Sequence, residues 1–210
     1  MFEGIDTGMF ADAMDILGVD GSMEGLTPVA EGQRFHGRAL TVRMLAGTSG
    51  SFSADEIALG RILSQAKAGD VIVVDIGGAP ITVWGELTTI AALAQGVSGL
   101  VVDGGVRDVD IIRRHGFPVV SRHVLPRAGK TRLRLGSVGE EPVTVGGVTV
   151  HPGDFVFSDD TGVVVVPQAR YDETLSEIDK IKAKEDAFKE GLAEGLPYLE
   201  AAKRMGLTQV

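Results

Sequence analysis

The sequence predicts an α/β fold with a parallel core, and three observations carry that prediction. Val71-Ile-Val-Val-Asp-Ile76 is a nearly unbroken apolar run, the texture of a strand buried on both faces. Two further short runs, Gly99 to Asp103 and Phe117 to Ser121, follow it. Helical stretches over 86–95 and 108–115 separate the three runs, giving βαβαβ order. In such sheets the loops at the carboxyl ends of neighbouring strands meet, and ligands bind there.

The elements follow in chain order. Residues 7–18 read as a short helix, with Thr7 as N-cap and Gly18 just past the end. Residues 37–44 alternate toward a strand. Ile57, Leu59, Ile62, Leu63 and Ala66 set a helical period over 53–68, stopped by Gly69. Gly77-Gly-Ala-Pro80 then breaks the first buried strand, and the βαβαβ segment runs to residue 121. From about residue 130 the texture changes. Val143 to Val150 is two alternating runs around Gly146-Gly147, a hairpin signal. His151-Pro-Gly-Asp154 is a turn, and 155–157 and 162–166 are further strands. With no linker, low-complexity segment or repeat, residues 1–210 read as one domain.

The tail, about 169–195, reads as an amphipathic helix with one anomaly. Ile178, Ile181, Phe188 and Leu192 share a stripe, and Glu185 sits inside it. A carboxylate on an apolar face is costly unless a partner meets it. Either Glu185 snorkels to solvent and pairs with Lys189 four residues on, or the helix packs on a neighbouring subunit and delivers Glu185 into a site there.

Composition narrows the function classes. Hydrophobic residues make up 44% and charged residues 23% of 210, a globular balance. The net charge of −9 leaves no basic footprint for nucleic acid, so an anionic ligand must be held by a few placed donors. The absence of cysteine removes disulfides, thiolate nucleophiles and cysteine metal sites, and fits a reducing compartment. With no positively charged n-region and no apolar run long enough to span a bilayer, the chain reads as soluble, cytoplasmic and without a membrane partner. His36, His115, His123 and His151 show no zinc-binding spacing, and Gly77-Gly78-Ala79 lacks a nucleotide-loop pattern.

Two loops remain. Gly85-Glu86-Leu87-Thr88 opens a helix, so its free N–H groups form a cradle for a carboxylate, or Glu86 merely complements the helix dipole. Asp103-Gly-Gly-Val-Arg-Asp108 follows a buried strand. There Gly104 and Gly105 permit positive φ and a tight turn with N–H groups turned outward. Arg107 offers a planar fork to a carboxylate or an enolate oxygen, and Asp108 a hard oxygen ligand for Mg²⁺ or Mn²⁺. Alternatively Asp108 caps the next helix and Arg107 is a surface cation. No lysine falls in these loops: Lys67 precedes the first strand and Lys130 follows the third, which favours a metal mechanism over a Schiff base. Specificity for the rest of a substrate would come from neighbours such as Arg122 and the 45–53 loop. Asp159-Asp160 reads as a turn or as support for the site.

Gly85-Glu86-Leu87, the twenty residues Leu87 to Val106, and then Arg107-Asp108 resemble the signature of the RraA-like family, which includes the 4-hydroxy-4-methyl-2-oxoglutarate aldolases. Asp12-Ala13, Phe35 to Val42, Val102 to Asp108, Gly146 to Asp154 and Asp159 to Pro167 extend the resemblance over most of the chain. It implies a β/β/α swivelling-domain fold, a three-layer sandwich on the βαβ core, assembling as homotrimers or dimers of trimers with sites between subunits. It further implies a divalent-metal-dependent class II aldolase that cleaves 4-hydroxy-2-oxo acids to pyruvate and decarboxylates oxaloacetate. The amides of Gly85 to Thr88 would hold the pyruvyl carboxylate, Arg107 the oxo group and enolate, and Asp108 the Mg²⁺ or Mn²⁺. Glu185 would come from the neighbouring subunit. Where family members often carry Asp beside the glycine, this chain has Glu86. The same resemblance carries an alternative, a non-catalytic protein-binding regulator of ribonuclease activity.

Overall fold

A computed structural model describes residues 2–206. Eleven strands, six α-helices and one 3₁₀ turn appear in chain order. They are α1 (Thr7–Ile16), β1 (Thr27–Pro28), β2 (Phe35–Ala46), α2 (Leu59–Gln65), β3 (Asp70–Asp75) and β4 (Thr82–Trp84). There follow α3 (Glu86–Ala94), β5 (Gly99–Val106), α4 (Val109–His115), β6 (Val119–Val124), β7 (Leu133–Val138), β8 (Val143–Val145) and β9 (Val148–Val150). Last come β10 (Phe155–Asp159), β11 (Gly162–Val166), the 3₁₀ turn Gln168–Arg170, α5 (Tyr171–Ala193) and α6 (Tyr198–Arg204).

Nine strands form one mixed sheet in the order β1-β6-β5-β3-β2-β10-β11, with β4 paired to β5 and β7 to β2. The parallel heart is β2-β3-β5-β6, in register Val42↔Val74 and Val74↔Val102. Alternation sends the two sides of these strands into different cores. Val42, Ile72, Val74, Leu100 and Val102 face the helical layer, packing with Ile62 of α2, Ala92 of α3 and Ile112 of α4. Ala39, Val71, Val73 and Val101 face the hairpin β8-β9, whose Val143, Val145 and Val150 are buried against them. Helices, sheet and hairpin make the expected three layers. A third cluster packs Phe10, Ala13 and Met14 of α1 and Ile178 of α5 on Phe157, Val164 and Val166.

Several boundaries differ from the sequence reading. Asp6, not Thr7, caps α1: its carboxylate accepts from the Met9 amide at 2.9 Å, while the Thr7 hydroxyl donates to Asp159 at 2.8 Å. The helix expected over 53–68 shrinks to Leu59–Gln65. Residues before it are turns, with Glu56 accepting from the Ser53 amide at 2.6 Å and Ala58 left-handed at φ 44°. β4 and β7 had no period long enough to read, and α6 follows a loop that the tail pattern did not extend past. The hairpin turn Gly146-Gly147 is as read, with φ 56° and 84°.

Part of the apolar stripe of α5 packs within its own chain, while Leu192 is exposed. Ile178 is fully buried against α1, Ile181 packs at the edge of the same cluster, and Phe188 meets the Tyr198 ring of α6 at 5.3 Å. Asp159 is buried and Asp160 exposed. The first pins the start of α1 through the Thr7 amide and hydroxyl, and the second accepts from Gly32 at 2.7 Å, so both hold turns together. No helix among the described residues is long and apolar enough to cross a membrane.

Candidate active site

The site is assembled by an extension of β5. The sequence reading ended this strand at Asp103 and assigned Gly104 and Gly105 to a positive-φ turn. Instead the strand continues to Val106, and neither glycine has positive φ. Their function is close approach. A Cβ at Gly104 would lie 2.2 Å from Ile76 Cδ1, and one at Gly105 2.4 Å from Leu125 Cδ2 and 2.8 Å from the Ile81 carbonyl. The Gly105 amide donates to that carbonyl at 2.9 Å, which seats β4 beside the end of β5 with Trp84 opposite Val106. The Arg107 amide then donates to Trp84 O at 3.0 Å, so the two loops leave the sheet side by side.

Asp108 takes an unusual backbone. It is left-handed at φ 56° and makes no side-chain cap for α4, which removes the capping role. Its Oδ2 instead accepts from the Glu86 amide at 3.1 Å and lies 3.5 Å from Arg107 Nε. Strain of this kind, of order 1–3 kcal/mol, concentrates at functional sites. Gly85 is obligatory for the same geometry, since a Cβ there would lie 2.6 Å from Asp108 Oδ2 and 3.2 Å from Arg107 Cγ. Thr88 closes the first turn of α3: its hydroxyl donates to Gly85 O at 2.9 Å and accepts from the Gly85 amide at 3.1 Å. Behind the loops the Trp84 indole donates to the Thr89 hydroxyl at 3.0 Å and stacks near Phe117.

The loops border a cavity of about 450 Å³. Gly85, Glu86, Leu87, Thr88, Arg107 and Asp108 all line it, so the structure brings both sequence-derived loops together on one wall. Ala54, Ile57 and Leu59 supply an apolar side. Lys130, which lies outside both loops in the sequence, also lines the cavity, so the absence of a lysine from the loops does not keep one from the site. Thr82 bridges Ala128 in parallel and its hydroxyl donates to Leu125 O at 2.7 Å, so the segment after β6 runs along β4 and arrives at the same rim. One signal could have found it: this segment, too, leaves the carboxyl end of a parallel strand. Arg122 is spent elsewhere, bonded to the Asp103 carboxylate on the hairpin side, and does not line the cavity. Glu185 lies apart from the loops, paired with Lys189 at 2.8 Å on a depression shared with Asp12 and Asp15.

Among the described residues no group of three or more His, Cys, Asp or Glu is disposed to hold a metal. What the cavity offers is two carboxylates, Asp108 and Glu86. A hard cation that keeps several waters and takes substrate oxygens is suited by one or two such ligands. Asp108 Oδ2 accepts from the Glu86 amide and its Oδ1 has no hydrogen-bond partner among the described residues, so the donor chemistry fits Mg²⁺ or Mn²⁺ with most of the shell supplied by water and substrate.

An arginine, two carboxylates and the amino end of a helix line one cavity at the carboxyl edge of a parallel-cored α/β sheet. The family described as RraA-like, Aldolase/RraA, matches residues 7–165, and the chain belongs to it. Protein DlpA of Legionella pneumophila is 34% identical over 88% of this chain, which spans 30% of that longer protein. A protein of Halalkalibacterium halodurans, provisionally named a 4-hydroxy-4-methyl-2-oxoglutarate aldolase, is 28% identical over 95% of this chain and 90% of its own. The crystal structure of Streptomyces coelicolor RraAS2, described as an unusual member of the RNase ES inhibitor RraA family, superposes with a TM-score of 0.78 at 27% identity, covering 91% of this chain and 94% of that one. The fold is the RraA-like one. Its relatives include both a named aldolase and a named member of an inhibitor family.

Proposed function

We propose that this protein is a divalent-metal-dependent lyase that cleaves 4-hydroxy-4-methyl-2-oxoglutarate or a related 4-hydroxy-2-oxo acid to pyruvate, and that decarboxylates oxaloacetate. The observation that carries the reading is the convergence of Arg107, Asp108 and the amino end of α3 on one cavity. Both reactions leave a pyruvate enolate, and stabilising that developing charge is the main demand on the site. The Gly85 and Glu86 amides are already bonded to Thr88 Oγ1 and Asp108 Oδ2, so the next first-turn amides of α3, those of Leu87 and Thr88, receive the pyruvyl carboxylate. Arg107, whose terminal nitrogens have no partner among the described residues, donates to the oxo oxygen as it gains charge. Asp108 would hold Mg²⁺ or Mn²⁺, which when bound acts as a Lewis acid on the oxo acid.

Glu86 lines the cavity half-buried, and in this reading it moves the protons. In cleavage it takes the C4 hydroxyl proton, the C3–C4 bond breaks, and the electron pair moves into the enolate. The same proton returns to C3, giving pyruvate and a second carbonyl product. We further propose a homotrimer or dimer of trimers, because α3 exposes Leu87, Ile90 and Leu93 beside the site. Such an assembly is what could bring Glu185 of another copy to the rim.

Pyruvate release from both substrates, measured with Mg²⁺ and after EDTA, tests the reading. Removing one preorganised donor typically costs about 10² to 10³ in rate, so Arg107→Ala is expected to lose at least about 10². Near wild-type turnover in that variant sinks the assignment. The same exposed face of α3 also suits a protein partner, which favours a second reading as a ribonuclease regulator. A regulator tolerates Arg107→Ala and makes no metal-dependent pyruvate.

A further inference from the structure

We propose that residues 47–57 form a spring-loaded strap, held shut in this structure, which swings about Gly47 and Ala58 to open the cavity. It rests on the lyase reading only in taking this cavity as the ligand site. Among the described residues three non-glycine positions have positive φ: Ala58 at 44°, Asp108 at 56° and Thr131 at 69°. All three border the cavity. Asp108 lines it, Ala58 lies between the lining residues Ile57 and Leu59, and Thr131 follows the lining Lys130. At Asp108 the strain turns a carboxylate toward the Glu86 amide. Ala58 has no polar group to place, and Thr131 is β-branched, the kind of residue for which the left-handed region is most costly. Ala58 also opens α2 without a side-chain cap, at a position that ordinarily takes an extended residue.

Such strain persists only where surrounding contacts outweigh it, and here those contacts form one zipper. The strap has no helix or strand of its own. Among the described residues, its hydrogen bonds to the rest of the chain all go to residues 131–135. The Gly47 amide donates to Arg132 O at 2.8 Å, Gly50 to Thr131 Oγ1 at 3.3 Å and Phe52 to Thr131 O at 3.2 Å, while the Leu135 amide donates to Glu56 O at 2.8 Å. Arg134 adds a latch: its guanidinium stands 5.1 Å from the centre of the Phe52 ring and 3.9 Å from the Glu56 carboxylate. Ala54 and Ile57 thereby face the cavity as part of its apolar side. Letting go of this single seam frees the strap and relaxes both Ala58 and Thr131. The zipper favours the shut form and the strain the open one, which is the balance a two-state element needs. Gly47 and Ala58, at the ends of the segment, are the positions that absorb the swing.

Two substitutions should push the strap in opposite directions, and amide hydrogen exchange of the full chain, read by mass spectrometry, follows it. Ala58→Gly removes strain from the shut form and should slow exchange over 47–57 at least about threefold. Arg134→Ala removes the latch and should speed it at least about twofold. Exchange in β3 and β5 should be the same in both variants as in the wild type. Trp84, the single tryptophan, lines the cavity and reports whether movement of the strap opens it. Quenching of its fluorescence by acrylamide should fall in Ala58→Gly and rise in Arg134→Ala. A loop that is merely packed on the protein loosens in both variants, so shifts of the same sign, or none, overturn the proposal. So do opposite shifts in exchange that leave Trp84 quenching unchanged. Opposite shifts in both readouts, in a protein that releases no pyruvate, end the lyase reading and leave the strap standing; pyruvate release with a strap that loosens in both variants does the reverse.

Discussion

Gly85→Ala is the sharpest perturbation of the proposed site, because it adds one methyl group at a point where no side chain is altered directly. The new Cβ would sit 2.6 Å from Asp108 Oδ2, well inside contact distance, and 3.3 Å from Arg107 Nε. Gly85 is extended at φ −162°, so alanine meets no backbone strain there. The clash is relieved by moving the Asp108 carboxylate outward, which breaks its 3.1 Å bond from the Glu86 amide. A bond of this type to a charged group contributes about 1.5–3 kcal/mol when buried, and Asp108 is partly exposed, so about 1 kcal/mol is expected. For a chain of this length that lowers Tm by about 2–4 °C. The effect on activity is larger, since misplacing a site group by about 1 Å costs about 10²-fold. Pyruvate release from oxaloacetate, normalised to folded protein by circular dichroism, is the assay. Gly37→Ala is the control: its Cβ would meet Gly69 O at 2.0 Å, away from the cavity, so it should lower Tm more and activity per folded molecule little. Wild-type kcat/KM in Gly85→Ala, or losses in the two variants that merely track their Tm, would refute the coupling of Gly85 to Asp108.

Four further outcomes follow from the same contacts. Asp108→Asn should abolish Mn²⁺ binding at micromolar metal, read by the free-ion electron paramagnetic resonance signal, while leaving Tm within about 2 °C. Borohydride added with pyruvate should leave the mass of the protein unchanged, whereas reductive trapping on Lys130 would establish a Schiff-base mechanism instead. Burial pushes the Asp159 carboxyl up, but hydrogen bonds from Thr7 and Thr161 and the Arg34 charge outweigh it and hold the group below its ordinary value. Its stabilisation is therefore present above the ordinary carboxyl value and lost as pH falls below that value through the lowered one of the folded state. Asp159→Asn should cost about 1–3 kcal/mol in urea unfolding at neutral pH, and the difference from wild type should shrink as the pH is taken below the ordinary carboxyl range. Finally, Ile90→Asp on the exposed face of α3 should reduce the solution mass toward that of one chain, and an unchanged mass removes α3 from the interface.

The parallel core was legible because its signal is local. Val71 to Ile76 and Gly99 to Asp103 are apolar enough to require burial on both faces; Gly77 follows the end of β3 by two residues, whereas β5 runs on through Gly104 and Gly105 to Val106. The short elements were not legible for the converse reason. A three-residue strand such as β4 has no period, and its existence depends on Gly105 letting Ile81 approach β5, a contact between distant positions. The same limit explains the uneven reading of the site. Arg107 and Glu86 could be joined because one strand–helix–strand unit sets their separation, whereas Lys130 reaches the cavity only through the bridge of Ala128 to Thr82.

Gly104 and Gly105 show how a correct residue can be assigned the wrong physical cause. Glycine after a strand suggests positive φ, but here both residues stay extended and their missing Cβ atoms admit Ile76 and Leu125. The turn that was expected of them is displaced to Asp108, a residue that adopts the left-handed region at a cost. That displacement has a chemical consequence. A flexible glycine turn at 104–105 would leave Arg107 and Asp108 free to wander, whereas a strand held through Val106 delivers both at a fixed point beside Gly85. The strain at Asp108 is then the means by which the carboxylate turns back toward the α3 amides instead of capping α4, and a rigid approach to that residue is what allows the strain to persist.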